Sequence, residues 1–245
     1  MSKKIALITG ANKGLGFETA KQLGKENITI IAASRNKERG EKAVAALKAE
    51  GVDAEFLQLN VDSPTDITNA FDYINNKYGK LDILINNAGI IAEDGHFGSN
   101  TSTTITQEEL STTFATNFFN VVALTNTLLP LIKKSEAGRI VNLSSILGSL
   151  TLHADPASPI YGSKLFAYNS SKTALNAYTV HLAAALADTN IKVNSAHPGW
   201  VKTELGTDAA PMLVDEGAKT SVALSLLGND GYTGKYVHLG QELPW

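Results

Sequence analysis

Short apolar runs alternate with longer amphipathic stretches along the chain. The runs KIALIT (4–9), ITIIAA (28–33), AEFLQL (54–59), LDILIN (81–86), GRIVNL (138–143), IKVNSA (191–196) and KYVHL (235–239) read as strands. Several lack polar alternation, as strands covered on both faces do. Between them lie helical patterns. One places Ile67, Phe71, Ile74 and Tyr78 at spacings of four, three and four behind the start signal Ser63-Pro64. Alternation of strand and helix from end to end predicts an α/β fold: one domain over 1–245 with a parallel sheet and helices on both faces. Two polar stretches are expected to be loops, EDGHFGSNTSTTIT at 93–106 and LTLHADPASPIYGSK at 150–164. Both follow strand ends, where ligands bind in such sheets.

A chain of 245 residues has room for a sizeable core. Its net charge of -3 offers no electrostatic case for nucleic acid or an anionic membrane, which leaves small-molecule chemistry as the default. The absence of cysteine removes disulfides, thiolate nucleophiles and cysteine metal sites, and fits a reducing, cytoplasmic setting. The run IALITGA breaks at Thr9-Gly10, short of a signal segment or a spanning helix, so it reads as the first buried strand. The five histidines, His96, His153, His181, His197 and His238, show no paired ligand spacing, so no metal is expected.

The first strand runs into Gly10-Ala11-Asn12-Lys13-Gly14-Leu15-Gly16, followed by a helical pattern. Such glycines let the backbone approach a pyrophosphate, and a helix start supplies N–H donors. Taken alone, the turn fits a structural role equally well. At the end of the second strand NAD would call for a carboxylate on its ribose hydroxyls, yet the chain reads Ala33-Ser34-Arg35-Asn36. Arg35 and Lys13 suit a 2′-phosphate, so NADP(H) is expected ahead of NAD(H); two solvated surface cations are the plain alternative.

Tyr168 and Lys172 stand four apart in a helix-prone stretch, which puts a phenol and an ammonium on one face. Singly, Tyr168, Ser145 at a strand end and Asn117 in a helical pattern each have an ordinary packing or capping explanation. As an ordered set they resemble the short-chain dehydrogenase/reductase family over essentially the whole chain. TGANKGLG matches its TGxxxGxG turn, and Asn86-Asn87-Ala88-Gly89 its NNAG element. Asn117, Ser145, Tyr168 and Lys172 match its catalytic tetrad, and Pro198-Gly199 with Thr203 its PG motif.

The resemblance implies a doubly wound Rossmann fold, a seven-stranded parallel sheet in the order 3-2-1-4-5-6-7. It implies hydride transfer between a nicotinamide and a ketone or aldehyde. Tyr168 would donate the proton with its ionisation eased by the Lys172 cation, helped by oxidised cofactor, and Ser145 would hold the substrate oxygen. Lys172 would also grip the nicotinamide ribose, and Asn117 would anchor a water. Asn60 and Val61 would lie beside the adenine, Asn87 near its ribose, and Val201 and Thr203 near the carboxamide.

The chain departs from the family by an insertion of roughly ten residues between Ser145 and Tyr168, beside the substrate. Tyr161 and Lys164 in that insertion form a second Tyr/Lys pair. It is only three apart and loop-like, and is rejected as catalytic. The insertion, Lys13, Arg35 and TNFFN at 116–120 resemble monomeric NADPH carbonyl reductases, whereas most of the family associates through helices, so monomer and homo-oligomer both stay open. Ile146, Leu147, Leu150, Leu152 and Trp200, with the stretch 205–214, suit a hydrophobic substrate wall or ordinary packing. Substrate loops are expected at 93–106, 146–164 and 204–215. A silent NADP(H)-binding regulatory protein is the competing class; dehalogenation without net redox and a hydrolase are weaker, since Ser145 lies in no G-x-S-x-G elbow.

Overall fold

The computed structural model describes residues 3–93 and 102–245. All seven expected strands form, with bounds within two residues of those read from the pattern: β1 (Ile5–Thr9), β2 (Thr29–Ser34), β3 (Ala54–Gln58), β4 (Ile83–Asn86), β5 (Arg139–Leu143), β6 (Lys192–Ala196) and β7 (Tyr236–His238). They pair in parallel in the order β3-β2-β1-β4-β5-β6-β7. An eighth strand, β8 (Gln241–Glu242), corrects the expected count and runs antiparallel to β7. Leu239 and Gly240 sit between the paired residues His238 and Gln241, both at positive φ (46° and 82°), which reverses the chain in a two-residue hairpin.

The nine α-helices among the described residues are α1 (Gly14–Lys25), α2 (Lys37–Ala49), α3 (Pro64–Tyr78), α4 (Gln107–Phe114), α5 (Asn120–Ile132), α6 (Leu150–Ala154), α7 (Phe166–Ala185), α8 (Val214–Gly217) and α9 (Lys219–Ser225). Buried Ile5 and Leu7 of β1 face one core with Leu84 and Ile140, against Ile74 of α3, Leu128 of α5 and Leu182 of α7. Ala6 and Ile8 face a second core with Leu23 of α1, Leu47 of α2 and Leu224 of α9. A sheet buried on both faces explains why its strands show no polar alternation.

The helix expected behind Ser63-Pro64 is α3. The Ser63 hydroxyl accepts from the Asp66 N–H at 3.2 Å, Pro64 occupies the first turn, and Gly79 ends the helix at φ 71°. The insertion is less loop-like than expected, because α6 forms after Ser149, whose hydroxyl accepts from the Leu152 N–H at 3.2 Å. The expected loop 204–215 holds turns and the start of α8. Of the expected loop 93–106, residues 94–101, His96 among them, lie outside the described residues. By length and composition Gln107–Ile132 would suffice to cross a membrane, but it packs on α3 and α7 and buries Leu124, Leu128, Leu131 and Ile132.

Candidate active site

A cleft of about 690 Å³ opens at the C-terminal ends of the parallel strands, across the point where the strand order reverses between β1 and β4. The turn after β1 forms its floor, with Gly10 and Gly14 in the left-handed region at φ 66° and 55°. Gly16 is required by close approach, since a Cβ there would meet Gly10 O and Asn87 Nδ2, each at 2.5 Å. Thr9 ties this turn to the end of β4. Its hydroxyl accepts from the Asn87 and Ala88 N–H groups, both at 2.9 Å, and its carbonyl accepts from Asn87 Nδ2 at 2.7 Å.

The cleft gathers most of the residues expected around a cofactor. Asn12, Lys13 and Leu15 line it with the turn glycines, Arg35 at the end of β2, Asn60 and Val61 after β3, and Asn87, Ala88 and Gly89 after β4. Thr203 also lines it and packs on the turn, its Cγ2 lying 3.4 Å from where a Gly14 Cβ would stand. Pro198, Gly199 and Val201, also expected at the cofactor, are not among the lining residues; Val201 is buried and bridges to Met212. Asp62 is a lining residue that sequence reading missed, and its carboxylate accepts from Thr116 and Asn120. Arg35 is exposed, no acid stands directly after β2 (Arg35-Asn36-Lys37), and Lys13 forms an exposed ion pair with Glu204. Glycine floor, helix start and two rim cations together fit a phosphorylated dinucleotide.

The four residues of the expected tetrad do not line the cleft themselves; they lie behind two lining residues, Gly89 and Leu143, which Asn117 and Lys172 approach. Asn117 lies in a π-helical turn, Ala115–Phe119, between α4 and α5, and is fully buried. Its amide holds the chain after β4 at both atoms: Nδ2 donates to Ile90 O and Oδ1 accepts from the Ile90 N–H, each at 2.9 Å. Nδ2 also reaches Ser171 Oγ of α7 at 3.1 Å. Gly89 brings two members together, since a Cβ there would stand 3.3 Å from Asn117 Oδ1 and 3.5 Å from Lys172 Nζ. Lys172 Nζ lies 5.6 Å from the centre of the Tyr168 ring and donates to Leu143 O at 2.8 Å. Ser145 follows β5; its hydroxyl accepts from the Leu147 N–H and its carbonyl from the Tyr236 hydroxyl.

Burial sets the ionisation here. It pushes the Tyr168 phenol up to about 12, against a smaller downward pull from the Ser145 hydroxyl, and lowers the Lys172 ammonium to about 8. The expected easing combines Lys172 with an oxidised cofactor; in the chain by itself burial of the phenol outweighs it. Desolvation of the phenol dominates, and the ammonium is spent on the Leu143 carbonyl. A neutral phenol is the form able to donate a proton.

His197, read from sequence only as core or surface, braces the site. Its Nδ1 accepts from the Ile146 N–H at 3.1 Å, next to Ser145, and its ring packs on His238 at 4.8 Å. Burial, then the neighbouring His238, lowers His197 to about 3, so it folds neutral. Unfolded, it titrates near about 6.5. The unfolded chain therefore binds the extra proton, and this contribution is complete above about pH 6.5 and lost as pH falls toward about 3. Between about pH 7 and pH 5 the loss is about 2 kcal/mol. Urea unfolding of wild type and His197→Asn at both pH values checks this; a stability difference between them that is equal at both would refute it.

The family model described as short chain dehydrogenase matches residues 4–214. The chain belongs to the short-chain dehydrogenase family. It is 32% identical over 287 aligned residues to carbonyl reductase [NADPH] 1 of Mus musculus, a match covering 100% of this chain and 99% of that protein. It is also 32% identical over 299 residues to short-chain dehydrogenase/reductase 1 of Saponaria officinalis, covering 99% and 96%. Among solved structures, NADPH-bound carbonyl reductase from chicken fatty liver superimposes with a TM-score of 0.85 at 26% identity and covers all of both chains. The protein is thus a short-chain oxidoreductase with carbonyl reductases among its relatives.

In this short-chain dehydrogenase the insertion builds a second cavity of about 380 Å³, lined by Phe166, Asn169, Ser170 and Thr173 of α7 with Leu150, His153 and Lys164. These α7 positions oppose the face of Tyr168 and Lys172. Leu150, expected in a substrate wall, lines this second cavity. The rejected Tyr161/Lys164 pair sits here too: Lys164 Nζ stacks 4.6 Å over the Tyr161 ring and contacts His153 O at 3.1 Å.

Proposed function

We propose that this protein is an NADPH-dependent carbonyl reductase of bulky apolar or aromatic ketones or aldehydes, working in a cytoplasmic setting and without a metal. The observation that carries the reading is a cleft lined by Lys13 and Arg35, with no acid directly after β2, whose lining residue Gly89 lies against the buried Asn117 and Lys172, with Tyr168 one helical turn before Lys172. Bound NADPH supplies the hydride. Tyr168, held neutral by burial, donates its phenolic proton to the carbonyl oxygen, and the Ser145 hydroxyl orients the same oxygen. Lys172 beside the ring places positive charge where the phenolate forms. Exposed Trp200, Leu205 and Leu213 offer apolar surface on the segment that reaches the cleft through Lys202 to Leu205.

The nucleotide preference has a direct test. Arg35 projects from the end of β2, and Lys13 is shared with Glu204, so an incoming 2′-phosphate competes with that carboxylate for Lys13 and meets Arg35 freely. Arg35→Asp is expected to weaken NADPH by about tenfold to a hundredfold and to leave NADH nearly unchanged, since a charge-assisted bond is replaced by repulsion. The assay follows reduced-nicotinamide absorbance with NADPH or NADH over aryl, aliphatic and sugar carbonyls. Wild-type binding of NADPH without turnover of any carbonyl would instead support a silent nucleotide-binding protein.

A further inference from the structure

We propose that Glu93 is a positioning residue for Tyr168, clamping the first turn of α7 onto the segment that follows β4; this rests on Tyr168 being the proton donor. Helix α7 begins without a cap of its own, because Leu165 at its N-cap offers no side-chain acceptor. The acceptor comes from far away in sequence. Glu93 Oε1 accepts from the Ala167 N–H at 2.9 Å and Oε2 from the N–H of Tyr168 itself at 3.0 Å.

Glu93 is 4% exposed, and none of the ion pairs among the described residues involves it. Burying a carboxylate without a cation is costly, and the partial positive charge of the α7 N-terminus with two charge-assisted hydrogen bonds offsets that cost. A serine or aspartate at the N-cap would finish the helix end locally. Glu93 does what a local cap does not: it ties the helix end to the chain that lines the cleft.

That chain is held at both ends. Four residues before Glu93, Gly89 lies against Asn117 and Lys172, and Ile90 is gripped at N–H and carbonyl by the Asn117 amide. Residues 89–93 therefore form a short strap from the inner end of the cleft to the backbone of Tyr168. It fixes the height and rotation of the first turn of α7, and so the place of the phenol relative to Ser145.

The test compares wild type with Glu93→Gln, an isosteric change that turns one acceptor oxygen into an NH2 facing a backbone N–H. The readouts are kcat with NADPH and the best carbonyl, NADPH Kd by fluorescence, and hydrogen exchange of the peptide around 165–172. Misplacing the proton donor is expected to lower kcat by about tenfold to a hundredfold, with NADPH Kd within about threefold. Exchange should speed up in the first turn of α7 and not in the strands. An active wild type with an equally active Glu93→Gln overturns the role of Glu93 alone. Parallel loss of kcat, NADPH affinity and strand protection also overturns it, as general unfolding. A wild type inactive on every carbonyl overturns the carbonyl-reductase reading, and the role of Glu93 falls with it.

Discussion

Tyr168→Phe is expected to lower carbonyl reduction by about 10² to 10⁴-fold, the usual contribution of a positioned general acid, while NADPH binds within about twofold of wild type. Phenylalanine keeps the aromatic ring that packs beside Lys172 Nζ and loses only the hydroxyl whose proton burial retains. The helix end is untouched, because Glu93 accepts from the backbone N–H of residue 168 and not from its side chain. Single-turnover kinetics with preloaded NADPH separate the chemical step from binding. Near-normal reduction by a folded Tyr168→Phe protein would remove Tyr168 as the proton donor.

Gly16→Val is expected to weaken NADPH binding by up to about a hundredfold and to lower Tm. The first added carbon meets the Gly10 carbonyl oxygen and Asn87 Nδ2 at 2.5 Å, and Asn87 Nδ2 is already committed to Thr9 O at 2.7 Å. A backbone carbonyl cannot swing aside as a flexible side chain does, so the turn and the end of β4 must separate. Overpacking of this kind costs about 1–3 kcal/mol, and at the upper figure the dinucleotide would bind roughly a hundredfold more weakly if all of the strain fell on the binding-competent state. Gly162→Ala is the control, as nothing lies within 4 Å of its added carbon and its φ is not positive. Wild-type NADPH affinity in Gly16→Val would show that the turn tolerates a side chain and that its glycine has no steric purpose.

The parts of the molecule legible in the chain were those written in local patterns. The strand runs and the Ser63-Pro64 start of α3 depend on neighbours within one turn or one strand, so periodicity and capping reveal them. The spacing of Tyr168 and Lys172 on α7 belongs to the same class. The hairpin to β8 was missed because it rests on a non-glycine residue at positive φ, Leu239, which carries no turn signature of its own. Helix α6 was missed because its five residues offer too short a pattern, and its cap, Ser149, stands in an ordinary polar context.

Element order, the glycine turn and the residue types of the tetrad follow from the amino-acid order, because each depends on short-range geometry or on a motif with few alternatives; the strand order was implied only by the family resemblance and is decided by pairing across the sheet. Folding alone settled the bracing contacts: Glu93 on the Tyr168 backbone, the Asn117 amide on Ile90, and His197 on the Ile146 backbone. Those pairs lie 75, 27 and 51 residues apart, separations at which no sequence periodicity couples two positions. The protonation states belong with them. A phenol four residues from an ammonium suggests a lowered pKa, and burial of both groups, which no local pattern encodes, moves Tyr168 the other way.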